Sequence, residues 1–181
     1  WNFFDENSIN IGISIDGDEK EHNSLRVYKN GKGTYQDTVE TITDLVESNT
    51  YSQRTKAIWG LSVINGNSSS IKNTLLHNKE LGIRHMQIKL VRLAKSSRLS
   101  INYENLDNIV SIYNELTEHF VSRASIHEYS DLKMILNEND YYGKILFRIL
   151  GGRIYRRCQA GTNKYSFDAL GNIYPCDSFV G

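Results

Sequence analysis

Three times between residues 8 and 121 a short apolar strand pattern is followed by polar punctuation and then by an apolar stripe at helical spacing. That alternation constrains the chain more than any other feature. In Ser8 to Ile15, Ile stands at every second position (Ile9, Ile11, Ile13, Ile15), a period of two that predicts a strand covered on its Ile face. A second strand is predicted over 56–64 and a third over 86–92. Helices are predicted after each: from Thr34, as cap, to about Ser48; from a cap at Ser68 or Ser69 to Leu81, ended by Gly82; and from Asn102 to about Val121. The last carries Leu106, Ile109, Val110, Tyr113, Leu116 and Phe120 as its stripe. Helical crossovers between successive strands demand a parallel sheet. Three strands neither close a barrel nor complete a doubly wound sheet, so further strands are expected before Trp1.

Asp18 to Gly33 is polar, contains Gly31 and Gly33, and reads as a long loop. From Asp131 to Leu150 the chain reads as helical, broken between Asn137 and Gly143 and closed by Gly151-Gly152. Lys164 to Asp168, Ala169-Leu170-Gly171 and Asn172 to Tyr174 then read as a β-hairpin, with Gly171 in the demanding slot of its turn. The expected division is residues 1–128 for the strand–helix region, 129–152 for a helical connector and 153–181 for a small hairpin unit.

Composition excludes some classes. Lys and Arg together number 21, and so do Asp and Glu, giving no bulk positive charge for nucleic acid. No apolar run approaches the roughly 18 residues of a membrane span. Trp1 to Phe4 runs directly into Asp5 and Glu6, which does not read as a signal peptide; a start at Trp1 reads as a piece of a longer protein. Two cysteines are too few for a disulfide scaffold.

Chemistry in parallel α/β folds gathers at the carboxyl ends of strands. There stand Ser14-Ile15-Asp16-Gly17, with His22 and Arg26 in the loop behind, and Ile64-Asn65 and Val91-Arg92. Polar groups before a glycine make a ligand cradle; equally, Asp16 could simply cap a turn. Gly31-Lys32-Gly33-Thr34 lacks the spacing of a phosphate loop and reads as a helix-capping turn. His77, His85, His119 and His127 fall on or beside helices and read as structural or solvated. Arg153, Arg156 and Arg157 read as a solvated face. Cys158 and Cys176 flank the hairpin, which could turn both thiols to one zinc ion or iron–sulfur cluster; two buried thiols or a disulfide are the alternatives.

Taken together these segments are recognisable. Ser14-Ile15-Asp16-Gly17, Glu21-His22-Asn23, Arg26 and Gly31-Lys32-Gly33-Thr34-Tyr35 resemble a stretch of radical S-adenosylmethionine enzymes, in particular those that mature peptides and sulfatases. Cys158-Gln159-Ala160-Gly161 and Gly171 to Gly181 resemble the opening of their cysteine-rich SPASM domain. The resemblance covers the whole chain. It implies the second half of a partial (β/α)6 TIM-like barrel, about three βα units, then the start of a SPASM hairpin. It implies S-adenosylmethionine bound by Ser14, Asp16, Arg26, Ser62 and Asn65, and an auxiliary [4Fe–4S] cluster held partly by Cys158 and Cys176. The CxxxCxxC triad for the catalytic cluster is absent from the sequence, so the chain alone is expected to be inactive. In the whole enzyme a 5′-deoxyadenosyl radical would oxidise or cross-link residues of a peptide or protein substrate, with Asp177 as base and a flavodoxin or ferredoxin as reductant. A cytoplasmic location and no nucleic-acid or membrane partner are implied. The alternative is a non-enzymatic α/β interaction module with a structural zinc hairpin.

Overall fold

The computed structural model describes residues 2–7, 9–48, 58–93, 97–136, 141–151, 160–161 and 165–176. It falls into two compact units, Trp1–Leu146 and Phe147–Gly181.

In the first unit a short helix α1 (Asn2–Glu6) leads into β1 (Ile11–Ser14). A five-residue helix α2 (Glu19–Asn23) and α3 (Tyr35–Glu47) follow. Then come β2 (Ile58–Ile64), α4 (Ile71–Glu80), β3 (His85–Leu90), α5 (Leu106–Ser125) and α6 (Ser130–Ile135). The strands form one sheet in the order β1-β2-β3, both pairings parallel, with Ile11 opposite Ile58 and Trp59 opposite His85. This is the strand–crossover–strand topology that the alternation predicts, a partial TIM-like α/β fold.

Burial alternates along β2: Ile58, Gly60, Ser62 and Ile64 are buried, while Trp59, Leu61 and Val63 are half-buried. The buried face joins two apolar clusters. Ile15, Ile42, Leu45, Ile58 and Ile83 pack β1 and β2 against α3. Ile64, Leu75, Met86, Ile88, Ile112, Leu116, Phe120 and Ile135 pack β2 and β3 against α4, α5 and α6. Gly12, Ser14, Trp59, Leu61, Val63, His85, Gln87 and Lys89 alternate with these residues and so take the opposite face. Trp59 and His85 stack there with ring centroids 5.3 Å apart.

Several expectations need correction. The 18–33 stretch is not all loop. Asp18 accepts the Glu21 N–H and starts α2, and an antiparallel bridge joins Val27 to Gly33. Thr34 occupies the residue before α3 but makes no capping bond, because its hydroxyl is engaged elsewhere; Asn23 Oδ1 accepts the Tyr35 N–H instead, at 3.0 Å. The α4 cap is Ser70, which accepts the Asn73 N–H at 3.1 Å. Ser68 instead accepts the Asn65 N–H. Gly82, at φ +86°, ends that helix as expected. The α5 stripe is rotated from the predicted one. Ile109, Ile112, Leu116 and Phe120 are buried, whereas Leu106 and Val110 are 43% and 50% exposed. No helix among the described residues is long and apolar enough to cross a membrane.

Helix α7 (Tyr141–Ile149) spans the boundary between the units. In the second unit, β4 (Ser166–Phe167) and β5 (Ile173–Tyr174) pair antiparallel, as predicted. Gly171 sits in the turn at φ +83°, a conformation open to Gly without strain. Asp168 organises the turn, accepting from the backbone N–H groups of Leu170 and Asn172, the Asn172 amide and the Tyr174 hydroxyl. The Asn172 side chain first, then those other donors, hold the Asp168 carboxyl below its ordinary value.

Candidate functional site

The carboxyl end of β1 carries the sequence's most concentrated polar motif, and the structure shows what each member touches. Asp16 follows the strand. Its Oδ1 accepts the Val63 N–H at 2.9 Å, tying β1 to β2, and its Oδ2 takes the Nε–H of Arg26 at 2.5 Å. Ser62, 2% exposed, donates to the Ile15 carbonyl at 2.5 Å. The Asp16 carboxylate and the Ser62 hydroxyl therefore join the two strand ends. Asn65 Oδ1 accepts the Asn67 N–H, closing the turn after β2.

Among the five candidate residues, the donors without a partner in the described residues are the Ser14 hydroxyl, the two terminal amino groups of Arg26 and the Asn65 amide nitrogen. They are divided between two hollows. Asp16, Ser62 and Asn65 line a cavity of about 530 Å³, together with Glu21, Ser69 and Arg98. Ser14 and Arg26 line a more open hollow of about 580 Å³ with Gly12, Val27, Thr34 and Thr38. The Arg26–Asp16 ion pair links the two. Sequence reasoning grouped these five residues; the structure brings them to the neighbouring carboxyl ends of β1 and β2 but divides them between the two hollows.

Two residues beyond the five shape the site. Glu21 is half-buried against the chain leading into α4, where its Oε1 accepts the Ser69 N–H at 3.3 Å. Burial pushes its carboxyl above the ordinary value; Ser69 opposes this, while Asp18 and Asp16 add to it. His22 is fully buried. Its Nδ1 accepts the Asp16 N–H at 3.3 Å and its Nε2 lies 3.0 Å from the Thr34 hydroxyl, which donates to the Arg26 carbonyl. Burial first, and Arg26 after it, lower the imidazole's affinity for a proton, with Asp16 opposing. The sequence showed His22 four residues before Arg26, but it gave no sign that the ring is sealed in.

Of the predicted metal ligands, Cys176 is half-buried just after β5. Cys158 lies outside the described residues, as does Asp177, the expected base. Among the described residues no group of three or more His, Cys, Asp or Glu side chains could hold a metal ion.

No known family profile matches the chain, and neither does any curated protein sequence. Solved structures do. The chain superposes on native anSMEcpe with bound AdoMet at a TM-score of 0.66 and 16% identity. It superposes on native anSMEcpe with bound AdoMet and Kp18Cys peptide at 0.64 and 16%, and on the Cp18Cys complex at 0.64 and 18%. In each, 99% of this chain is covered but only 47% of the other, so the chain spans about half the length of the structures it matches. The protein thus has the fold of one half of anSMEcpe, an anaerobic sulfatase-maturating enzyme of the radical S-adenosylmethionine class.

Proposed function

We propose that this chain is the S-adenosylmethionine-gripping half of a radical maturase acting on a peptide or protein substrate. The observation that carries the reading is the pairing of Arg26 with Asp16 beside an unpartnered Ser14 hydroxyl at the end of β1. With Nε committed to Asp16, the guanidinium is fixed in orientation and keeps both terminal amino groups for a ligand. Such a fork suits a carboxylate, and an amino-acid carboxylate is one end of S-adenosylmethionine. The Ser14 hydroxyl and the Asn65 amide nitrogen offer further hydrogen bonds to a ligand rich in acceptors. The donor set therefore fits the cofactor.

Asp16 is a positioning residue on this reading: it aims Arg26 and holds β1 to β2, while Ser62 reinforces the same junction. Bound there, S-adenosylmethionine would supply a carbon radical for hydrogen-atom abstraction. The resemblance to peptide- and sulfatase-maturating enzymes and the AdoMet and peptides bound to anSMEcpe support the substrate class. On the same resemblance, Cys158 and Cys176 are two ligands of an auxiliary [4Fe–4S] cluster. Asp177, next to Cys176, would take the proton from a substrate Cys or Ser, which favours a sulfatase-like substrate. A flavodoxin or ferredoxin would supply electrons.

Titration calorimetry of the protein with S-adenosylmethionine tests the grip. Arg26→Ala should weaken binding tenfold or more, since a hydrogen bond to a charged group is worth about 1.5–3 kcal/mol. Unchanged affinity in that variant, or no binding to the native chain at millimolar ligand, overturns the assignment.

A further inference from the structure

We propose that His22 is a positioning residue whose single neutral tautomer sets the Arg26 guanidinium for its ligand, so that a proton on Nδ1 disables the grip. The argument begins with hydrogen-bond polarity. A backbone N–H only donates, and the Asp16 N–H points at Nδ1, so Nδ1 is the bare nitrogen and Nε2 carries the hydrogen. Nε2–H then donates to the Thr34 hydroxyl, and Thr34 donates onward to the Arg26 carbonyl. The result is one directed relay: Asp16 N–H, His22, Thr34, Arg26 C=O. It fastens Arg26 at its backbone, while the Asp16 carboxylate fastens the same residue at its side chain. A ring with no exposure cannot exchange these partners for water.

A second hydrogen on the ring would set N–H against N–H at Asp16. Asp16 would have to move, and its carboxylate holds Arg26 and the Val63 N–H. The charged and titratable neighbours are few. Asp16 and Arg26 face the ring as opposite charges, Glu21 lies beside it on α2, and Tyr35 from α3 meets it edge-on with centroids 5.8 Å apart. Tyr35 is in turn bonded to His77 of α4 at 2.9 Å. None of these makes a hydrogen bond to Nδ1, whose partner among the described residues is the Asp16 N–H.

The functional weight of this relay rests on the ligand proposed above for the Ser14–Arg26 hollow; its structural claim does not. Nitrogen-15 NMR of the labelled protein tests it. At pH 7.5 the His22 ring should show a bare Nδ1 and a protonated Nε2. On acidification, the Arg26 Nε–H resonance should be lost with the same midpoint as His22 titration, while the Met134 methyl in the distant core stays native. His22→Asn keeps an acceptor for the Asp16 N–H and should preserve the Arg26 signal at both pH values; His22→Ala should lose it at both. A hydrogen on Nδ1 at pH 7.5 overturns the proposal. So does an Arg26 signal indifferent to His22 titration, or loss of Met134 packing at the same midpoint, which would make His22 a general stability residue. S-adenosylmethionine that leaves Arg26 unperturbed at pH 7.5 would sink the proposed function and leave the relay standing.

Discussion

Asn23 performs two tasks at one spot. Its side-chain oxygen caps α3 through the Tyr35 N–H, and the side chain fills the space a Cβ on Gly33 would need. That explains why the Gly33-Thr34-Tyr35 run is as it is: Gly33 gives room to Asn23, Thr34 turns its hydroxyl to His22 and Arg26, and Tyr35 offers its N–H to Asn23. Gly33→Ala should expel Asn23 and cost about 1–3 kcal/mol, the sum of a steric shift and a lost cap. Urea unfolding of the single and double variants checks this. In an Asn23→Gly background the same Gly33→Ala change should cost less than half as much. Additive costs would show that the two residues are not in conflict.

At the scale of elements, three helices are held together by one buried carboxylate. Asp131 of α6 is 2% exposed. Its Oδ1 meets Lys79 of α4 at 2.5 Å and its Oδ2 meets His119 of α5 at 2.8 Å; Arg123 Nε stands off at 3.9 Å. Burial pushes the Asp131 carboxyl up, but hydrogen bonds from Lys79 and His119 more than offset it and leave it below the ordinary value. A depressed carboxyl contributes stability that is complete above the unfolded value near 3.9 and is lost as the pH falls through the lower folded value. Asp131→Asn should therefore destabilise the protein by about 3 kcal/mol at pH 7, because it leaves cations facing a neutral group. The gap from wild type should shrink as the pH approaches 3. Urea midpoints at the two values measure it, and a gap that does not narrow refutes the account.

The same scale shows what could be read from the chain and what could not. The three parallel strands and the hairpin were legible because each is announced by a local pattern: alternating Ile in β1, mostly apolar residues in β2, Gly171 in the turn. Helix α2 was not, since five residues show no periodicity and its neighbourhood is held by distant partners, His22 to Thr34 and Asn23 to Tyr35. The face of α5 was misread because Leu106 and Val110 are apolar yet exposed, so two overlapping stripes satisfied the same spacing. At the site, the residue types were legible but their partners within the protein were not: Asp16 and Ser62 also join β1 to β2, which only the strand register reveals.

For the whole molecule, the fold likeness extends over almost all of this chain and less than half of anSMEcpe, and it includes the hairpin unit as well as the parallel sheet. The motif resemblance and the fold likeness, one read from side chains and the other from backbone, agree on the partial TIM-like fold. The hairpin is where the proposed function makes its own demand. Its turn is fixed by Asp168 and Gly171, and Pro175 limits the approach to Cys176, so the strand end presents its thiol from a preset backbone. On the proposed function, Cys176 would be one of the thiolate ligands that an iron–sulfur cluster requires. Full-length protein reconstituted with iron and sulfide under anaerobic conditions should lose one cluster's worth of iron on Cys176→Ala. Its affinity for S-adenosylmethionine should not change, since Ser14 and Arg26 belong to the other compact unit. Asp168→Ala should reproduce part of that loss by loosening the turn. Iron content unchanged by Cys176→Ala would make the cysteine structural and end the cluster assignment, while the reading of the Arg26 site would survive it.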